Sequence, residues 1–253
     1  MIGTVSELHR YPVKSMQGHP DEVVQVGADR IDGDRSWGLI DVDTGRLASA
    51  KRFRALLDAT GGDGTATLPD GSVVDLAGPG ADAALSAWLG RSVRVVRAEE
   101  SHDLSYQMTF DPPDDDAELF DIPVPPQTLL DLGAVHLISR TTLDHCAAAR
   151  PDLNWDLRRF RPNVVADLDT EPFAENDWSG RTLRLGDDVV LGVMGPTVRC
   201  AMPLRAQPGG LERQPGLTAA LNELNVASPN HLGLYLHVEA PGTVRVGDAV
   251  VLV

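Results

Sequence analysis

An acidic, proline-rich run divides the 253-residue chain roughly in half. It spans residues 111–126 and contains no lysine or arginine. Proline has no backbone N–H to donate, and a run this rich in carboxylates cannot bury an apolar face. The sequence therefore predicts a linker or loop at 111–126, with one domain at 1–110 and a second domain at 127–253.

The first half consists of short β-like segments separated by Gly, Asp and Pro turns. This pattern is typical of strands joined by tight turns, and the close spacing favours a small antiparallel barrel. A helix is predicted at 81–89, because Leu85, Trp88 and Leu89 share one face and Gly90 can end it. The predicted strands are residues 2–8, 22–26, 36–42, 66–68, 72–76 and 92–96.

The second half combines predicted strands with two short helices. A strand at 134–138 leads to Ser139, which is placed to cap a helix that runs to about residue 148. The segment 217–224 puts its leucines on one helical stripe. The segment 183–191 is echoed by 244–252, and in both a Gly-Asp turn between apolar strands predicts a hairpin. The expected fold class is mainly β with a few helices (α+β), with a β-barrel-like N-terminal domain.

The charge balance excludes several classes of partner. The formal net charge is −15. Such a surface repels the phosphates of nucleic acids and anionic membranes. The sequence starts without a signal-peptide pattern and has no apolar stretch as long as a membrane span. We therefore expect a cytoplasmic protein with no nucleic acid and no membrane as partner, and the oligomeric state stays open.

The chain has two cysteines, Cys146 and Cys200. Two are too few for an internal four-cysteine zinc or iron–sulfur site, so redox chemistry would need electrons from another protein. Cys146 begins a Cys-Ala-Ala-Ala run and is interpreted as core filler. Cys200 follows an apolar strand and a Gly-Pro turn, beside Arg199, whose charge favours the thiolate. This position indicates a soft-metal ligand or a nucleophile, and the alternative is a small buried hydrophobe.

Three other segments give Cys200 a context. They are Tyr11-Pro-Val-Lys-Ser15, Gly33-Asp-Arg35 and Arg159-Phe-Arg-Pro-Asn163. Together with Arg199-Cys200, and in this order, they make the chain similar to the MOSC superfamily. Within it the chain resembles members that carry an N-terminal MOSC β-barrel domain before the MOSC β-barrel domain, such as the mitochondrial amidoxime-reducing component and its bacterial relatives. The resemblance covers nearly the whole chain.

The resemblance implies a molybdenum cofactor, a pterin whose dithiolene chelates molybdenum. It also implies that Cys200 is the metal ligand and the catalytic residue, a role that suits a soft thiolate. Cationic and hydroxyl side chains would hold the phosphate and the ring of the cofactor. The positions that match these cofactor contacts are Lys14, Ser15, Arg35, Ser139, Thr142, Arg161 and Asn163. The alternatives are ordinary surface charges for the cations and a helix cap for Ser139.

The implied activity is reduction of small N-hydroxylated compounds, such as amidoximes, with electrons from an external donor protein. Two alternatives stay open. One is a carrier that hands the cofactor, or a persulfide on Cys200, to another enzyme, and the other is a barrel that has lost cofactor binding. After Arg-Cys the family continues with an Asp-Pro-x-Thr-Gly segment, whereas this chain reads Ala-Met-Pro-Leu-Arg at 201–205. Because that loop follows Cys200, the difference bears on substrate identity more than on cofactor binding.

Overall fold

Strands dominate the structure. The computed structural model describes residues 1–109, 111, 112, 114 and 116–253, which form mostly β-structure and three α-helices. The mainly β, α+β prediction is therefore confirmed. None of the helices in these ranges combines the length and the apolar character that crossing a membrane requires. The strands are β1 (Gly3–Arg10), β2 (His19–Asp21), β3 (Val23–Val26), β4 (Trp37–Asp41), β5 (Thr60–Gly62), β6 (Thr65–Thr67), β7 (Val73–Asp75), β8 (Val93–Arg97), β9 (Ser105–Met108), β10 (Phe120–Pro123), β11 (Val135–Ser139), β12 (Val164–Leu168), β13 (Thr182–Leu185), β14 (Val189–Val198), β15 (His231–Ala240), β16 (Gly242–Arg245) and β17 (Ala249–Leu252). The helices are α1 (Ala81–Leu89), α2 (Arg140–Ala149) and α3 (Gly216–Leu224).

Seven of the described strands close into one barrel. Their order is β12, β11, β15, β14, β13, β17 and β1, and β1 pairs again with β12. Most neighbours are antiparallel, whereas β11 and β12 are parallel and are joined by α2, the kind of crossover that a parallel pair requires. Because β1 comes from the first half of the sequence, both halves contribute to this barrel.

Aliphatic side chains fill the barrel interior. Along β13, Leu183 and Leu185 are fully buried, while Thr182 and Arg184 are partly exposed. This alternation is the period of two expected of a strand with one buried face. Leu137 of β11 belongs to the same apolar cluster. Burial of each such side chain contributes about 1.5–3 kcal/mol, so the closed sheet is the main source of stability in this part of the protein.

A second apolar core lies in the first half of the chain. It is formed by β4 and β8, by the sheet of β5, β6 and β7, and by α1. Leu39, Leu57 and Leu85 are buried there. Gly90 ends α1 in the left-handed conformation, as predicted. Strands β1, β2 and β3 are not part of these sheets, because β1 closes the barrel, β2 pairs with β1, and β3 pairs with β16.

Two local expectations are wrong. The segment 183–191 forms the predicted hairpin of β13 and β14, but 244–252 does not form one. Instead β16 pairs with β3, and β17 pairs with β13 and β1. Pairing with strands that are distant in sequence thus replaces the pairing of β16 with β17 that the local turn predicts. The second concerns the segment 111–126, which was expected to be a linker or loop. Its residues 120–123 form strand β10, which pairs with β9, because Phe120 and Ile122 supply strand-favouring side chains between the prolines.

The division into domains at 1–110 and 127–253 stays a prediction. Phe110, Pro113 and Asp115 at the expected boundary lie outside the described residues. The pairing of β1 with β12 and β17 shows that residues before the boundary complete the sheet of residues after it.

Barrel closure depends on Gly3. In β1 it lies opposite Leu168 of β12 and Val250 of β17. A Cβ on Gly3 would stand 2.0 Å from the carbonyl oxygen of Asp167. Gly3→Ala should therefore push β1 away from β12 and lower the free energy of unfolding, measured in urea, by about 1–3 kcal/mol. Gly216→Ala is the control, because its Cβ meets nothing closer than 3.4 Å and alanine favours the helix. Equal stability of Gly3→Ala and wild type would contradict the requirement for glycine where β1 pairs with β12.

Candidate functional site

A cavity lies at the end of the barrel where β1 ends and β12 begins. Its volume is about 80 Å³, and the free space of the whole pocket, open solvent at its mouth included, is about 700 Å³. Since about 10–15 Å³ accommodates one water molecule, the cavity itself has room for several. The residues that line it come from both halves of the chain and are Lys14, Ser15, Arg35, Leu130, Asp131, Gly133, His136, Arg159, Phe160, Arg161, Asn163, Val198, Arg199, Cys200, Met202, Pro203 and Tyr235.

Most of the site residues predicted from the sequence meet at this cavity. They are Lys14, Ser15, Arg35, Arg161, Asn163 and Cys200. Backbone hydrogen bonds hold the first two motifs side by side. Lys14 N donates to Trp37 O at 2.8 Å, and Arg35 N donates to Tyr11 O at 2.9 Å. The Tyr-Pro-Val-Lys-Ser and Gly-Asp-Arg motifs therefore reach the cavity as one unit.

Ser139 and Thr142 do not line the cavity. Ser139 caps α2, and its Oγ accepts a hydrogen bond from Thr142 N at 3.2 Å. The Thr142 hydroxyl donates to Glu175 Oε2 at 3.0 Å and accepts from Phe173 N at 2.9 Å. Both side chains are fully buried with partners inside the protein. Their geometry supports a structural role and gives no support to a contact with a cofactor.

The Cys200 thiol stands on the cavity wall, just beyond the end of β14. It is half-buried and free, whereas Cys146 is fully buried in an apolar cluster, as predicted. Burial lowers the pKa of Lys51, but the charges of Asp131 and Cys200 outweigh this effect, so the Lys51 pKa is raised. Among the described residues, no three His, Cys, Asp or Glu side chains are placed to hold a metal ion together.

Three cavity residues have an unusual backbone conformation. Ser15, Arg35 and Arg161 have φ angles of 71°, 45° and 55°, in the left-handed region that non-glycine residues rarely occupy. Each costs about 1–3 kcal/mol, which the surrounding structure must offset. Of the seven such non-glycine residues in the part of the chain that the structure describes, three line this cavity. Such clustering is typical of binding and catalytic sites.

Buried contacts fix the two strained arginines. Arg35 forms an ion pair with Asp34, which is fully buried. Arg161 Nη1 donates to Met16 O at 2.6 Å. Burial, reinforced by the charge of Arg35, lowers the pKa of Arg161 to about 10, so Arg161 is still a cation at neutral pH. The Tyr11 ring centre lies 4.8 Å from the Arg35 guanidinium carbon and 4.1 Å from that of Arg161, and its face attracts both cations.

Asp131 joins two buried lysines at the cavity edge. Its Oδ1 accepts from Lys14 Nζ at 2.6 Å and its Oδ2 from Lys51 Nζ at 2.7 Å. Burial lowers the pKa of Lys14 to about 8 in spite of Asp131, so Lys14 exchanges its proton close to neutral pH. Burial opposes ionisation of Asp131, but the two lysines hold its pKa well below its ordinary range. Neither Asp131 nor Lys51 belongs to a motif, so sequence reasoning missed both.

Arg199 is held by His136. Arg199 Nη2 lies 2.6 Å from His136 Nε2 and also donates to the carbonyl oxygen of Leu232. Burial lowers the pKa of Arg199 to about 10, although the charges of Tyr235 and Cys200 act in the opposite direction. Among the described residues, Arg199 Nε has no hydrogen-bond partner. A lone histidine in an apolar strand carries no signal of its own, so His136 was also missed.

Arg159 anchors the loop that follows Cys200. Its guanidinium donates to the carbonyl oxygens of Pro203, Arg205 and Glu212 at 3.0, 3.2 and 2.8 Å. The Arg159 side chain is almost completely buried, with 1% of its surface exposed. This arginine of the Arg-Phe-Arg-Pro-Asn motif therefore shapes the cavity rim by fixing a backbone.

Asp131→Asn should destabilise the protein by about 3 kcal/mol at neutral pH, because it leaves Lys14 and Lys51 without their carboxylate. A carboxylate with a depressed folded pKa stabilises the native state above its unfolded pKa of about 4, and this contribution is lost as the pH falls toward the folded value. The stability difference from wild type, measured by urea unfolding, should therefore be constant from about pH 5 to about pH 7 and shrink below about pH 4.

Asp29→Asn is the matched control for this measurement. Asp29 is exposed, and its substitution should change stability by less than about 0.5 kcal/mol at every pH. A wild-type advantage over Asp131→Asn that persists undiminished down to about pH 2 would contradict the assignment of Asp131 as the anion between two lysines.

Two solved structures resemble the chain weakly. The YUAD protein from Bacillus subtilis is 11% identical, with a TM-score of 0.46 over 99% of this chain and 94% of that chain. YiiM from Geobacillus stearothermophilus is 14% identical, with a TM-score of 0.35 over 60% of this chain and 73% of that chain. No curated protein gives a significant match. These likenesses carry no argument about function.

Two family models match the chain in succession. The model described as the MOSC N-terminal beta barrel domain matches residues 2–116, and the model described as the MOSC domain matches residues 128–251. MOSC domains are associated with molybdenum cofactor sulfurase-like proteins. The N-terminal domain model precedes the MOSC domain model along the chain, which is the arrangement that the order of the four motifs predicts. The chain belongs to the MOSC superfamily, in the arrangement with a MOSC N-terminal domain.

Proposed function

We propose that this protein is a molybdenum-cofactor oxidoreductase that reduces N-hydroxylated compounds with electrons from a separate donor protein. The observation that carries the proposal is the position of Cys200, a half-buried thiol on the wall of a cavity that also holds Arg35, Arg161 and Asn163. These side chains come from distant segments of the chain, so their convergence supports a shared ligand better than it supports independent surface roles.

The donor set of the cavity fits a pterin cofactor that carries a phosphate. Arg35 and Arg161 line the cavity from a strained backbone, and guanidinium groups bind phosphate in bidentate fashion. The buried Nε of Arg199, which has no partner among the described residues, is a further donor for such a ligand. A single protein thiolate suits a soft metal whose other ligands are sulfur atoms of the cofactor.

Charge also favours an anionic ligand. The whole chain has a net charge of −15, yet among the described residues five cations and one carboxylate, that of Asp131, line this cavity. The cations are Lys14, Arg35, Arg159, Arg161 and Arg199. The cavity thus has an excess of positive charge although the protein as a whole is acidic. This local excess supports a role in binding an anion.

The proposed reaction breaks an N–O bond. It consumes two electrons from the donor protein and two protons, and the oxygen leaves as water. When bound, the cofactor supplies the two-electron exchange. Lys14 Nζ, with a pKa of about 8 lowered by burial, holds a proton at the cavity edge that it can release near neutral pH.

The mouth of the cavity favours a substrate with an apolar body. Val198 lines the cavity with 51% of its surface exposed. Covering such surface is favourable by about 25 cal/mol per Å². An amidoxime carried on an aromatic ring combines a polar N–OH group for the cationic interior with a flat apolar body for this rim.

Cys200→Ser should abolish the activity. The protein is produced in a host that makes the molybdenum cofactor, and molybdenum and pterin per chain are measured together with benzamidoxime reduction by a chemical electron donor. Because even outer-shell changes at metal sites cost about 10–100-fold, loss of the ligand should lower the rate by at least about 100-fold. Part of the pterin should be retained, since the cations that bind it are unchanged.

Cys146→Ser is the matched control, because Cys146 is buried away from the cavity. It should keep wild-type loading and rate. A metal-loaded wild type that reduces no N-hydroxylated compound would end the reductase proposal. If that same protein passed its cofactor to an apo-enzyme, a carrier function would take its place, and an intact fold without molybdenum would favour a barrel that does not bind the cofactor.

A further inference from the structure

A second cavity lies in the first half of the chain, where β4 ends. Its volume is about 250 Å³, and the free space of the whole pocket, open solvent included, is about 650 Å³. It shares no lining residue with the cavity that Cys200 lines, and none of its residues belongs to the four motifs. The proposed reduction therefore does not use this second cavity, which we call the Arg52 cavity. Its lining includes Asp41, Arg46, Ser49, Arg52, Phe53 and Arg91.

Fixed contacts hold two arginines in the wall of the Arg52 cavity. Arg91 Nη2 donates to Oδ2 of buried Asp41 at 2.7 Å, and the Arg91 guanidinium carbon lies 4.9 Å from the centre of the Phe53 ring. Arg46 forms a bidentate pair with Asp121 of β10, with N–O distances of 2.8 and 2.7 Å. Because both guanidinium groups are already held in place, they lose little conformational freedom when a ligand binds.

Three hydrogen-bond donors of this cavity lack an acceptor in the part of the chain that the structure describes. Arg91 Nε is buried without a partner. The Arg52 guanidinium is exposed and forms neither a hydrogen bond nor an ion pair with a described residue. The Ser49 hydroxyl accepts from Lys51 N at 3.3 Å, and its own proton has no acceptor among these residues. Buried donors are costly to leave unpaired, so the cavity favours a ligand that supplies acceptors.

Positive charge predominates in the wall of the Arg52 cavity. Among the described residues that line it, three are arginines and one, Asp41, carries a carboxylate. The carboxylates of Asp43 and Asp121 lie outside the lining and are exposed, so water and salt screen them. An anion inside the cavity would therefore meet more positive than negative charge.

We propose that the Arg52 cavity is a second anion-binding site that takes a phosphate group, either as the free ion or as part of a small molecule. A phosphate group has three strong acceptor oxygens, which match the donors of Ser49, Arg52 and Arg91, and guanidinium groups bind phosphate in bidentate fashion. Since about 10–15 Å³ accommodates one water molecule, the cavity has room for a phosphate group and several further atoms.

The test measures modification of Arg52 by phenylglyoxal, which reacts with accessible guanidinium groups, in the full-length protein. Mass spectrometry of the peptide that contains Arg52 gives the rate in inorganic phosphate and in sodium chloride at equal ionic strength. A dissociation constant on the order of 1 mM would slow the modification about tenfold at 10 mM phosphate. Arg158 is exposed outside the Arg52 cavity and should react equally fast in both salts. Because the readout is specific to Arg52, phosphate bound in the Cys200 cavity does not enter it.

Two variants with the same loss of charge separate the cavity from its surroundings. Arg46→Gln removes a cation from the wall and should reduce the protection of Arg52 by at least about threefold. Arg54→Gln should keep wild-type protection, because Arg54 pairs with Asp58 and does not line the cavity. Near-ultraviolet circular dichroism checks the folding of both variants.

Glycerol 3-phosphate is the second probe. Protection at a lower concentration than inorganic phosphate requires would identify a phosphorylated small molecule as the ligand, whereas equal protection would assign the site to the free ion. Either result supports a phosphate site.

Equal modification rates of Arg52 in phosphate and in chloride would overturn the proposal. Equal loss of protection in Arg46→Gln and Arg54→Gln would also overturn it, because a general effect of charge would then explain the protection. The assay involves neither molybdenum nor turnover, so its outcome is independent of the outcome of the reductase test.

Discussion

The pairing of β1 with β12 and β17 is the contact on which the rest of the structure depends. It closes the barrel with a strand from the opposite end of the sequence. It also fixes where the chain leaves that strand, so that the segment after Arg10 emerges at the open end of the barrel beside Asn163. Asn163 secures the junction, because its amide donates to His9 O and its carbonyl accepts from Arg35. The cationic side chains of the cavity are therefore placed by strand pairing.

Burying several cations at one point is costly, and the structure offsets this cost in specific ways. Asp34 compensates Arg35, Asp131 compensates two lysines, and a main-chain oxygen accepts from Arg161. Burial, reinforced by the charge of Arg199, holds the pKa of His136 well below its ordinary value, so this histidine adds no further charge next to Arg199. The compensation is incomplete, which leaves the cavity positive in an otherwise acidic protein, and electrostatic interactions between buried groups are stronger than in bulk water.

Local patterns predicted the local structure well. The three helices, the cap at Ser139 and most strands follow from periodicity and turn residues, and the motif order identified Cys200, Lys14 and Arg35 as cavity residues. Pairing between distant strands was not predictable from one sequence, which is why the second hairpin was wrong. Asp131 and His136 were missed because their importance comes from side chains that the fold brings to them. Ser139 is the opposite case. It matches a position that contacts the cofactor in the family, but its side chain caps α2 and does not line the cavity.

The loop after Cys200 is held by Arg159 through three main-chain oxygens. Because the acceptors are main-chain oxygens, these hydrogen bonds do not depend on which side chains the loop carries. Pro208, Gly209 and Glu212 in this segment are exposed. Residues of this loop can therefore change during evolution without disturbing the position of the Cys200 thiol, and sequence divergence among relatives of this chain should concentrate there while Arg159 is kept.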